Sequence, residues 1–117
     1  MDSRNRILTE DEEQIKFLQH FKRTYPKVLI YHTPNGGQRH IATAMKMKCL
    51  GVVKGIPDLF IPEFKLWVEM KRIKGKLSHE QLAINEYLES VGYKVIVAYG
   101  HEDGINKLFT FLNNRIE

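Results

Sequence analysis

Gly55-Ile56-Pro57-Asp58-Leu59-Phe60-Ile61, followed by Pro62-Glu63-Phe64-Lys65 and Leu66-Trp67-Val68-Glu69-Met70-Lys71, is the stretch that decides the fold. Two apolar runs flank a short polar connection, the pattern of an antiparallel hairpin. Side chains alternate along a strand, so Glu69 and Lys71 project to one side while Val68 and Met70 face the other. A hairpin tip at Glu63-Phe64 sets Asp58 opposite Glu69, and a four-residue loop from Pro62 to Lys65 keeps the same register. Directly opposed residues point the same way with Cβ atoms roughly 4.5–5.5 Å apart. Two carboxylates and an ammonium then converge on one spot.

Carboxylates that close repel, and burial worsens the repulsion unless a cation sits between them. A hard divalent ion with oxygen ligands, Mg²⁺ or Mn²⁺, suits Asp58 and Glu69, with the Met70 carbonyl as a further ligand. Lys71 then orients or helps deprotonate an attacking water and offsets phosphate charge. Such an arrangement fits hydrolysis of a phosphodiester. Asp, Glu and Lys on a surface hairpin ordinarily form only a solvated face with a weak ion pair. Two features argue otherwise here: the strand is apolar enough for the centre of a sheet, and Gly-Ile-Pro delivers Asp58 from a rigid turn.

Working outward, Thr9 and Glu12 form a T-x-x-E capping box. Phe17, Leu18, Phe21 and Tyr25 follow at helical spacing until Pro26. Val28 to Tyr31 reads as a buried strand. Pro34-Asn35-Gly36-Gly37 is a turn, and a second helix spans about Gln38 to Leu50, with Ile41, Ala42, Met45 and Cys49 on one face and Gly51 as its stop. Ser78 and Gln81 cap a third helix that Gly92 closes. Lys94 to Ala98 is a further strand, and Ile105, Leu108, Phe109 and Leu112 mark a terminal amphipathic helix. The order αβαββαβα predicts a single α/β domain over residues 1–117, with a mixed central sheet covered by helices on both faces.

With 117 residues, 43% of them hydrophobic and 27% charged, the composition is that of a globular domain rather than a disordered chain. No apolar run suits a membrane span, and one cysteine allows no internal disulfide, so a cytoplasmic setting is expected. The net charge of +4 leans toward a polyanionic partner. Arg72, Lys74 and Lys76 beside the proposed centre are the best candidates for phosphate contacts. Gly36 and Gly37, with Asn35, would let backbone N–H groups approach phosphates, or form only an ordinary tight turn. Arg39 and Lys46 share one side of the second helix, which ordinarily reads as a solvated face and otherwise grips a backbone. The five histidines show no zinc-ligand spacing. Cys49 reads as core packing. Trp67 shares the parity of Glu69 and either flanks the site or packs under a helix.

Pro57-Asp58 followed by Glu69-Met70-Lys71 resembles the PD-(D/E)xK nuclease signature. The blocks Pro34-Asn35-Gly36-Gly37, Gly51 to Leu59, Val68 to Arg72, Leu77 to Gln81 and Gly92 to Val95 sharpen the resemblance to the VRR-NUC branch. It extends over nearly the whole chain in order. The resemblance implies a restriction-endonuclease-like αβββαβ core, a divalent metal and a catalytic glutamate in the first helix. Glu13, which flanks the apolar face and precedes Gln14 as in the family pattern, is the expected residue, with Glu10 the fallback. Gln81 matches the family's helix glutamine near the active site, though it equally suits the capping box alone. Relatives reduced to the bare domain resemble Holliday-junction resolvases, which implies branched DNA as substrate, a homodimer and a phage setting. Flap, nicking or single-strand cleavage, or a catalytically silent DNA-binding module, are the rival readings.

Overall fold

The computed structural model describes residues 6–34 and 41–115. Its element order is α1 (Glu10–Thr24), β1 (Tyr31–His32), α2 (Ile41–Cys49), β2 (Leu59–Ile61), β3 (Leu66–Lys71), α3 (His79–Ser90), β4 (Lys94–Tyr99) and α4 (His101–Asn114). The strands form one mixed sheet in the order β1-β2-β3-β4. β1–β2 and β2–β3 are antiparallel, and β3–β4 is parallel through the α3 crossover. This is the expected α/β architecture.

The central hairpin closes as its sequence dictates. Pro62–Phe64 form one 3₁₀ turn and Lys65 adopts a left-handed conformation at φ 49°. That four-residue connection pairs Leu59 with Val68, Phe60 with Trp67 and Ile61 with Leu66. One face of the sheet carries Leu59, Ile61, Leu66, Val68, Met70, Ile96 and Ala98, which pack with Phe17 and Phe21 of α1 and Leu108 of α4 into the core. The opposite face carries Phe60, Trp67 and Glu69 and meets α3.

Both predicted capping boxes form. Thr9 Oγ1 accepts from Glu12 N–H and the Glu12 carboxylate from Thr9 N–H; Ser78 and Gln81 repeat the exchange at α3. α1 ends at Thr24, two residues ahead of Pro26.

Three expectations are corrected. Val28 to Tyr31 is not a buried strand: a turn closed by Val28 N–H to the Tyr25 carbonyl uses its start, and pairing begins only at Tyr31. The short partner β2 limits β1 to the edge residues Tyr31 and His32, both exposed. In α2, Met45 is 64% exposed and Cys49 is exposed as well, so neither is a core residue. The part of that helix expected from Gln38 to His40 lies outside the described residues. Finally, Phe109 of α4 is 63% exposed, whereas Ile105, Leu108 and Leu112 pack inward as their spacing predicts.

Candidate active site

Asp58 is delivered from Gly55-Ile56-Pro57. Gly55 sits at φ +95°, and a Cβ there would lie 2.8 Å from both the carbonyl carbon and the oxygen of Glu80. The turn therefore leans directly on the backbone of the first turn of α3, and Lys54 reaches Glu80 at 3.6 Å across the same contact. Past this turn the Asp58 carbonyl accepts from Thr33 N–H at 2.7 Å, which ties it to the end of β1. His32 Nδ1 lies 3.0 Å from the same carbonyl.

The Asp58 carboxylate turns toward β3, where Oδ2 accepts the Met70 N–H at 2.7 Å. Met70 lies between Glu69 and Lys71, so this one bond places Asp58 at the middle of the expected constellation. Its side chain is committed to the core, so only the backbone of Met70 is left to serve the site. Glu69 is 1% exposed. Gln81 Nε2 donates to Glu69 Oε2 at 3.3 Å, while Glu69 Oε1 is buried with no hydrogen-bond partner. Burial, first, and the neighbouring Asp58 carboxyl, second, push the Glu69 pKa up to about 9, against an opposing pull from Lys71. Without a cation Glu69 therefore keeps its proton at neutral pH.

Lys71 ends β3 as a buried lysine, with Nζ 3.8 Å from Glu10 Oε2. Gly100 N–H donates to the Lys71 carbonyl at 2.8 Å and fixes the strand end against β4. The loop after Lys71 folds back through Gly75 N–H to the Arg72 carbonyl at 2.9 Å. Arg72, Lys74 and Lys76 are exposed on this loop beside Lys71.

The structure thus brings together Asp58, Glu69, Lys71 and Gln81. Among the described residues Glu13 forms no hydrogen bond or ion pair with any of these four. Glu13 is buried and accepts from His101 N–H at 2.8 Å, with His101 Nδ1 at 2.6 Å from the same oxygen. It serves as the cap for the first turn of α4, which begins after Gly100 without a side-chain cap of its own. Glu10 is the α1 carboxylate that reaches Lys71 and whose charge is felt at Glu69. Asn35, Gly36, Gly37 and Arg39 lie outside the described residues. His101 was not singled out from sequence, and nothing in its spacing marks it; only a glycine between a strand and a helix hints at an uncapped helix start.

Trp67 lies on the same face as Glu69, with its ring tilted against Phe60 at a centroid distance of 4.3 Å. Among the described residues no cluster of three His, Cys, Asp or Glu side chains forms a complete metal cage. The donor set nonetheless fits a hard divalent cation. Two adjoining carboxylates include an orphaned buried oxygen, Glu69 Oε1, and Mg²⁺ takes one or two protein carboxylates with water and phosphate oxygens completing its shell.

The family model of the VRR-NUC domain matches residues 8–102. A solved structure described as a VRR_NUC domain protein superposes with a TM-score of 0.75 at 28% identity, over 92% of this chain and 91% of that one. No curated protein matches the chain.

Proposed function

Because this chain belongs to the VRR-NUC domain family, nucleases of the PD-(D/E)xK type, we propose that it is a divalent-metal-dependent endonuclease with Asp58, Glu69 and Lys71 at its centre. The observation that carries this reading is the bond from Met70 N–H to Asp58 Oδ2 at 2.7 Å, which sets a second carboxylate beside the buried, half-satisfied Glu69. Asp58, Glu69 and the Met70 carbonyl would hold Mg²⁺ or Mn²⁺. When bound, such an ion lowers the pKa of a water and neutralises charge building on the phosphate.

The chain's own residues do the rest. Gln81 fixes Glu69 Oε2 and leaves Oε1 free to ligate. Lys71, held near Glu10, aims its ammonium at the attacking water and the phosphate oxygens. Arg72, Lys74 and Lys76 grip the flanking backbone, and Asn35, Gly36, Gly37 and Arg39 are proposed as further backbone contacts. Glu10 takes the first-helix role that sequence pattern assigns to Glu13.

The proposed substrate is branched DNA, four-way junctions first, cut by a homodimer. The dimer rests on the resemblance to short resolvase-like relatives, with Met45 and Leu50, 64% and 70% exposed on and just after α2, as candidate contacts. Purified protein and Lys71→Ala would be given junction, flap, single-stranded and duplex DNA with Mg²⁺, Mn²⁺ or EDTA, with light scattering for mass. Metal-dependent paired cuts in the junction by wild type alone support the resolvase reading. Preference for another substrate keeps the nuclease and removes the resolvase. Binding with no cutting under either metal removes the catalytic claim.

No helix among the described residues is long and apolar enough to cross a membrane.

A further inference from the structure

We propose that Tyr31, Phe60, Trp67 and Tyr93 form a stacking platform for an unpaired base of the strand being cut, an inference that rests on the nuclease reading and names its substrate class. Phe60 pairs with Trp67 in the β2–β3 register, and Tyr31 pairs with Phe60 in the β1–β2 register. Two residues further along the same two chain segments, Asp58 and Glu69 occupy the next position on the same face. The aromatic rung and the carboxylates are therefore about 7 Å apart along the strands.

The rings are contiguous. Centroids lie 6.0 Å apart for Tyr31–Phe60, 4.3 Å for Phe60–Trp67, 5.8 Å for Phe60–Tyr93 and 6.5 Å for Trp67–Tyr93. The main hydrophobic core cluster lies on the opposite face of the sheet and includes none of the four. Tyr31 is 44% exposed on the edge strand, and the others are partly exposed. The Trp67 Nε1–H is buried without a hydrogen-bond partner.

An aromatic surface beside a phosphodiester-cutting centre has one natural occupant. Every base offers a π-face, so stacking on aromatic side chains tolerates any sequence. In continuous duplex the bases are stacked inside the helix and reach a protein surface only when unpaired or flipped. The platform therefore selects strands with unpaired nucleotides next to the cut phosphate, as in flaps, single strands or opened junction arms, over intact duplex.

The test exploits Trp67, the sole tryptophan of the chain. Wild-type protein in EDTA is titrated with flap DNA whose unpaired nucleotides near the branch are intact or replaced one at a time by abasic residues, and Trp67 fluorescence is followed. Intact flap is expected to quench the fluorescence and to bind on the order of tenfold tighter than the most damaging abasic version. Tyr31→Leu, exposed at the edge of the sheet, is expected to keep its circular dichroism spectrum and bind both versions alike. Equal affinity and equal quenching for intact and abasic strands overturns the platform. Cleavage of the same substrates in Mg²⁺ and Mn²⁺ is measured alongside. Cleavage without base dependence overturns the platform and spares the nuclease. Base-dependent binding with no cleavage supports the platform and overturns the nuclease.

Discussion

Gln81 holds Glu69 with one end of its amide and caps its own helix with the other: Nε2 donates to Glu69 Oε2 at 3.3 Å while Oε1 accepts from Ser78 N–H at 2.8 Å. The capping and active-site readings of this residue are thus one arrangement, in which the cap fixes the rotamer that presents Nε2. The two roles separate by substitution. Gln81→Glu keeps an acceptor for Ser78 but replaces the donor with a third carboxylate facing Glu69. It is expected to leave the Tm within about 2 °C and to lower metal-dependent cleavage roughly 10–100-fold, as loss of an outer-shell partner does. Gln81→Ala loses the cap as well and is expected to lose about 1 kcal/mol, a few degrees in Tm. Thermal melts and cleavage rates on both variants check the split.

The elevated Glu69 pKa makes the metal-free protein lose stability with rising pH. Unfolded, the group titrates near 4.5; folded, it holds its proton up to about 9. Between those values the folded state binds more protons, so unfolding becomes easier as pH rises through that window and levels off above it. A divalent cation displaces that proton, so the gain in Tm on adding Mg²⁺ is expected to grow from pH 5 to pH 9. Glu69→Gln should flatten the metal-free profile and abolish the Mg²⁺ increment. Melting curves at several pH values, with Mg²⁺ and with EDTA, measure both. A Mg²⁺ increment that shrinks with pH contradicts the assignment of Glu69 as ligand.

The two helix glutamates carry opposite expectations. Glu10→Gln removes the charge that faces Lys71 and is expected to reduce cleavage roughly 10–100-fold with little change in Tm. Glu13→Ala strips the acceptor from His101 N–H and leaves that part-buried donor unpaired. Its cost is about 1.5–3 kcal/mol, on the order of 10 °C in Tm, with activity per folded molecule largely kept. Measuring both quantities on both variants decides which glutamate serves the reaction.

This pair also shows where the sequence stopped informing. Glu10 and Glu13 lie on one helical stripe, three residues and about 4.5 Å apart along the axis. A helical wheel places both toward the sheet but says nothing of which turn stands level with the end of β3. That level is set by how α1 docks through Phe17 and Phe21, a tertiary fact. The Asp58–Glu69–Lys71 face was legible because alternation and a four-residue loop leave one register. Gln81 was legible as a cap because capping is local. β1 was not, because an edge strand extends only as far as its partner permits. The apolar side of α2 suggested burial, yet periodicity reports that a face is apolar and not what, if anything, covers it.

The contact between Gly55 and α3 is expected to matter for both halves of the site, since Asp58 leaves from one side of it and Gln81 from the other. A methyl at Gly55 meets Glu80 backbone atoms at 2.8 Å, and backbone cannot swing aside as a flexible side chain would. Gly51 provides the control: its φ is +99°, close to the +95° of Gly55, but a Cβ there meets nothing within 4 Å. Gly51→Ala is therefore expected to cost only the left-handed strain, about 1–2 kcal/mol. Gly55→Ala adds the collision, which pushes the turn from α3 and draws Asp58 away from Glu69. Its cost should exceed that of Gly51→Ala by about 1–3 kcal/mol, and its Mg²⁺ affinity should fall as well. Urea unfolding and Mg²⁺ titration of the two variants separate strain from collision. Equal losses in both would mean that the close approach of Gly55 to Glu80 does not hold the carboxylate in place.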